Sequence, residues 1–197
     1  MPLPPRLYDR SLNAEIERLL YQVKVICQDF DGLTWGLSAE QLNWAPGPGQ
    51  WSVGQCIEHL NISNARFNQN FETAIRQGRA GGHLQDGPYA YGFLGRWFRN
   101  TLEPPVKKKF KAPKSFEPKA AKSLDQLTKD WNRTHERFSD LLQDASGLDL
   151  ARIKVQSPAV AWIKYSLGIG FWIQTAHDRR HIWQARNVRN LPAFPSS

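Results

Sequence analysis

Apolar residues recur along this chain in steps of three and four over four long stretches. In the first, Tyr8 to Phe30, they fall at Leu12, Ile16, Leu19, Leu20, Val23, Ile26, Cys27 and Phe30. That spacing predicts an amphipathic helix with one buried stripe, closed by Asp31-Gly32. The stretch Leu42–Trp51 is rich in Pro and Gly and predicts a loop, pinned to the body by Trp44 and Trp51. Ser52 and Gln55 form a capping-box pattern, which opens a second helix running to about Gly78. Its stripe is Val53, Cys56, Ile57, Leu60, Asn64, Phe67, Phe71 and Ile75, with His59 on the flank. Ser123 and Gln126 repeat the capping pattern and open a third helix to about Ala145, with Leu124, Leu127, Trp131, His135, Phe138 and Leu142 inward. After a linker containing Ser157-Pro158, a fourth helix spans about Tyr165 to Asn190.

Between Arg79 and Lys122 the periodicity is lost. Gly81-Gly82, Gly87-Pro88, Pro104-Pro105, Pro113 and Pro118 interrupt it, leaving room for a short helical turn at Phe93 to Phe98. A connection this long is often functional, as a lid or as an edge against a partner chain. Ile153 to Gln156 alternates briefly, but no strand is expected. The pattern predicts one all-α domain over residues 1–197, a four-helix bundle with a long basic Gly/Pro-rich loop insertion at about 79–122.

The fourth helix departs from a purely structural pattern. Leu167, Gly170, Gln174, His177, His181, Gln184, Ala185 and Val188 share one face, with Asp178 at its edge. A bundle helix that only packs would carry Leu or Ile at most of these positions. Buried polar groups are costly unless something satisfies them. His177 and His181, four apart, stand one turn above each other and can share a divalent ion, the geometry that H-E-x-x-H helices use for zinc. His59 on a neighbouring helix is the candidate third ligand. Three neutral imidazoles leave a position open, as in a catalytic rather than a structural zinc site. Zinc, nickel and ferrous iron all accept imidazole.

Composition narrows the class without naming the reaction. The 197 residues include 41% apolar and 12% aromatic residues with eight Trp, which excludes a disordered chain. Two cysteines, Cys27 and Cys56, give no disulfide framework and fit a reducing cytosol. Met1–Pro5 lacks the apolar core of a signal peptide, and runs such as Ala159–Ile163 are too short to span a bilayer. A cytoplasmic chain with no membrane segment is expected. The net charge of +8 is concentrated at Lys107, Lys108, Lys109, Lys111, Lys114, Lys119 and Lys122. A solvated basic loop is the expected reading, with nucleic acid as the rival.

The remaining candidates each have a blander reading. Asp178 can serve as a general base or orient a ligand, against a solvated helix-edge carboxylate. His135 can be a fourth ligand or another catalytic group, but a core histidine is the expected role. Glu58 falls on the outer side of its helix and is expected in solvent, whereas Cys56 is expected as a buried thiol. Gln174 and Gln184 are candidate substrate contacts.

Trp44-Ala45-Pro46 followed by Trp51-Ser52-Val53-Gly54-Gln55-Cys56-Ile57-Glu58-His59-Leu60 resembles the entry to the second helix of the DinB/YfiT-like superfamily. His177-Asp178-Arg179-Arg180-His181-Ile182-Trp183-Gln184 resembles that family's H-x-x-x-H signature in the last helix. The two motifs in this order are fairly specific together, and the resemblance covers most of the chain apart from the basic insertion. It implies an up-down-down-up bundle, a metal on His59, His177 and His181, and frequent dimers. It further implies an enzyme that activates a low-molecular-weight thiol for transfer to a small electrophilic substrate. The alternatives are a hydrolase using metal-bound hydroxide, or a non-enzymatic nucleic-acid or protein binder acting through the Lys-rich loop.

Overall fold

The computed structural model describes residues 12–106, 112–118, 121–160 and 162–196. Six helices occupy these residues: α1 (Ala14–Thr34), α2 (Ala39–Asn43), α3 (Val53–Ala80), α4 (Phe93–Leu102), α5 (Leu124–Asp144) and α6 (Leu167–Arg189). A 3₁₀ turn at Lys114–Phe116 and an antiparallel pair of short strands, β1 (Lys154–Gln156) and β2 (Lys164–Ser166), complete them. The fold is mostly helical, as expected.

Capping fixes where the helices start. Ser52 and Ser123 each accept from the backbone of the residue three on, while Gln55 and Gln126 reach back to the cap. Ser38 and Gln41 do the same for α2, a short helix the apolar pattern does not reveal. Helix α1 does not stop at Gly32. It runs on to Thr34, and the left-handed turn falls at Gly36, whose φ is +70°. Burial of Leu33 and Thr34 outweighs the ~1 kcal/mol that an interior glycine costs.

Cross-helix bonds give the directions. Trp172 donates to Glu15, Arg179 to Gln22 and Arg186 to Asp29, so α1 and α6 run parallel in steps of seven. Asn61 and Asn68 donate to the carbonyls of Leu127 and Thr134, so α3 and α5 are parallel in the same way. Asn64 meets Asp178, and Phe71 meets Phe171, which sets α3 against α6 antiparallel. Consecutive long helices that run the same way need a return path, and the stretch after α3 provides it. Helix α4 lies along α6, with Gly95 against Ile169, Arg99 over the Trp172 ring and Glu103 paired with Arg179. The segment read as a loop with one helical turn is therefore a crossover carrying a three-turn helix. Of the lysine cluster, Lys107, Lys108, Lys109, Lys111 and Lys119 lie outside the described residues.

The apolar core is in two parts. One gathers Phe67, Phe71, Phe138, Phe171 and Ile173, and the other Phe30, Ile57, Leu60, Trp131 and Ile182. Along α3 the break falls between Leu60 and Phe67, and along α6 between Ala176 and Ile182. That gap holds a polar layer.

Candidate metal centre

Two helices deliver the three histidines to this layer. The capping box at Ser52 fixes the start of α3, two turns before His59. Helix α6 presents His177 and His181 on consecutive turns. Their candidate ligand atoms all lie within 4.8 Å of one another, and among the described residues this is the group of three that could hold a metal. Ring centroids are 4.4 Å apart for His59 and His181, 4.6 Å for His177 and His181, and 5.1 Å for His59 and His177. His59 and His181 are buried, and His177 is the most accessible of the three.

His59 is oriented by a backbone group. Its Nδ1 lies 2.8 Å from the carbonyl oxygen of Phe116, so Nδ1–H donates and the Nε2 lone pair is left free. That Nε2 stands 3.3 Å from Nε2 of His177. Two nitrogens each about 2.05 Å from a tetrahedral zinc lie about 3.3 Å apart, so this pair has the separation of co-ligands. Among the described residues, Nδ1 of His177 and Nδ1 of His181 are buried without a hydrogen-bond partner. The donor set fits a divalent transition ion: neutral nitrogen ligands, close together and with little access to water.

Electrostatics keep the ligands neutral. Burial holds His177 and His181 well below the ordinary histidine value, and neighbouring histidines push the same way. Burial also lowers His59, against the bond to Phe116, which raises it. An unfolded chain binds these protons near pH 6.5, and the folded chain only at lower pH. The metal-free protein should therefore keep this part of its stability above about pH 6.5 and lose it as pH falls. The loss should approach ~2.7 kcal/mol per pH unit from His177 and His181 together. Urea midpoints of chelator-stripped protein, compared with metal-loaded protein down to about pH 5, check this. A difference that does not vary with pH would refute it.

The surroundings include residues that sequence reasoning did not assign. The Trp51 ring lies 4.9 Å from His59 and 5.9 Å from His181, and Phe67 lies 6.4 Å from His177. Trp51 was expected only to pin a loop. Phe116 contributes a backbone carbonyl, which leaves no trace in a side-chain pattern. The Arg66 guanidinium covers the Phe116 ring at 4.6 Å and donates to the carbonyl of Ser115.

Two carboxylates are not where the helical wheel placed them. Asp178 is not solvated: it is 1% exposed and accepts from Asn64 at 2.8 Å. Its second oxygen is 3.5 Å from Nε2 of His135. The wheel treats α6 as having one inner face, yet the helix is covered by α1, α3 and α4. Glu58 is also buried rather than solvated, paired at 3.0 Å with Lys122 from the end of the crossover.

His135 stands apart from the triad. Its ring stacks on Trp131 at 3.8 Å, and its Nδ1 meets the Trp131 carbonyl at 2.9 Å, the core role expected of it. Gln184 lies three residues beyond His181 on α6 and works against the lowering of the His181 pKa. Gln174 is fully buried, and among the described residues neither its amide oxygen nor its amide nitrogen has a partner. Cys56 is fully buried and its thiol is pushed up to about 12, with Cys27 at about 11. Neither supplies a thiolate near neutral pH.

A family model, the DinB superfamily, matches residues 24–185, a span that encloses all three histidines and the crossover, and the chain belongs to that superfamily. Searches of curated proteins and of solved structures return no match.

Proposed function

We propose that this member of the DinB superfamily is a metal-dependent enzyme, with His59, His177 and His181 holding one divalent zinc, nickel or iron ion. The observation that carries this reading is the convergence of three neutral imidazoles, His59 and His181 buried and His177 at the accessible edge, inside a layer that splits an otherwise apolar core. A divalent ion there would lower the pKa of a thiol or water brought beside it, making it a nucleophile near neutral pH.

The chain's own groups would prepare that step. The Phe116 carbonyl holds the His59 ring in one tautomer, and Trp51 shields His59 and His181 from solvent. Three uncharged ligands leave the ion's full charge to act on the incoming group. The edge at His177 is the accessible side from which a small substrate would enter. Because Cys27 and Cys56 are buried or raised, the sulfur would come from a low-molecular-weight thiol. We assign thiol S-transfer to a small electrophile as the activity, in a cytoplasmic homodimer. Among the described residues no helix is long and apolar enough to cross a membrane.

Metal-loaded protein incubated with common cellular thiols and a chromogenic electrophile should turn over in a thiol-dependent manner, and His177→Ala should not. Thiol-independent cleavage of a generic ester, with no thiol turnover, would replace the transferase by the hydrolase.

A further inference from the structure

Helix α4 carries a face that the metal centre does not use. At 100° per residue, Phe93, Leu94, Trp97 and Phe98 fall in one arc, while Gly95 and Leu102 turn toward the body of the protein. The arc faces solvent: Phe93 is 70% exposed, Leu94 77%, Trp97 54% and Phe98 41%. Four contiguous large apolar side chains on one outer helix face are more than a scatter of single exposed residues. Trp162 and Ile163 are also exposed, in the turn before β2, which leads directly into the first turn of α6. Gly95 of α4 packs on Ile169 in that same turn. Both apolar elements thus stand at one end of α6.

Charge identifies the kind of partner. Helix α4 contains Arg96 and Arg99 and no acid. From Gly87 to Lys122 the sequence has nine Lys and Arg against Glu103 and Glu117, so it carries seven of the chain's eight net positive charges. A second copy of this chain would bring two like-charged stretches together, which is unfavourable. A single-stranded nucleic acid would use rings separated along a groove, whereas this stripe is continuous, convex and includes Leu94. Insertable aromatic side chains on a helix without acids, in a stretch of sequence this rich in Lys and Arg, fit an anionic lipid surface.

We propose that the outer face of α4, with Phe93, Leu94, Trp97 and Phe98, docks the protein on membranes containing anionic phospholipid. The helix lies on the surface rather than spanning it, and the inference is independent of the thiol reading. The test is co-sedimentation of the full chain with vesicles of phosphatidylcholine alone and of phosphatidylcholine mixed with phosphatidylglycerol. Binding is expected to the mixed vesicles only, weakening as salt is added. Trp97→Glu and Phe93→Glu, at exposed positions, should each weaken it by about tenfold or more while leaving helical content and metal content unchanged. Absence of binding to the mixed vesicles, or unchanged binding by both variants, would overturn the proposal. So would two other results obtained without vesicle binding. A dimer lost in Trp97→Glu would assign the face to a second copy. Retention of single-stranded DNA lost in that variant would assign it to nucleic acid.

Discussion

His177→Ala is expected to remove stoichiometric metal from the purified protein while leaving the bundle folded. The substitution deletes one of three nitrogen ligands, and affinity should fall by at least about a hundredfold, since even losing a group that only orients a ligand costs 10 to 100-fold. His177 is the informative choice because it is the most accessible of the three, so its removal leaves the smallest defect in packing. His59→Ala would also orphan the Phe116 carbonyl, confounding metal loss with local disorder. Elemental analysis of wild type, His177→Ala and His135→Ala, all purified without chelators, is the measurement. About one transition ion per chain should be present in wild type and in His135→Ala, and absent from His177→Ala. Equal metal in all three would sink the assignment of the site. Absence from His135→Ala alone would move it toward α5.

The parts of this architecture that were legible in the sequence are those written locally. Ser-x-x-Gln boxes fix helix starts through hydrogen bonds within four residues, so Ser52 and Ser123 could be read directly. The His177–His181 spacing is equally local, one turn of one helix. His59 needed more, because nothing local says which flank of α3 meets α6; the family resemblance supplied that pairing. What was not legible comes from packing at a distance. The crossover exists because α3 and α5 run parallel, a property of the assembled bundle and not of residues 81–122. Helix α1 passes Gly32 because Leu33 and Thr34 find cover elsewhere in the fold. The brief alternation at Ile153 to Gln156 became strand only because Lys164–Ser166 pairs with it. Helix α6 is covered on several sides, so its apolar residues circle the axis and a one-sided wheel misplaces Asp178.

That misplaced carboxylate carries the largest effect expected on stability. Asp178→Ala should destabilise the metal-free protein by roughly 2–3 kcal/mol, the cost of leaving a buried polar group without the carboxyl oxygen it binds. Asn64 and His135 are 0% and 3% exposed, and each would lose the carboxylate oxygen it faces. Water does not reach Asn64 readily, so its amide would stay buried without the acceptor it has in Asp178. Asp178→Asn keeps the shape and one acceptor for Asn64, and should cost only about 1–2 kcal/mol. The two variants separate lost hydrogen bonding from lost volume, read as urea midpoints at unchanged slope. If Asp178→Ala costs no more than a surface substitution, within about 0.5 kcal/mol, then the buried layer is not held by this carboxylate. The comparison also bears on catalysis. A carboxylate sealed at 1% exposure and engaged by Asn64 cannot exchange protons freely with a substrate. Asp178→Asn should therefore keep most of the thiol-dependent turnover, whereas a general base at this position would lose nearly all of it. Retained activity with lowered stability would mark Asp178 as the residue that positions α6, and through it His177 and His181.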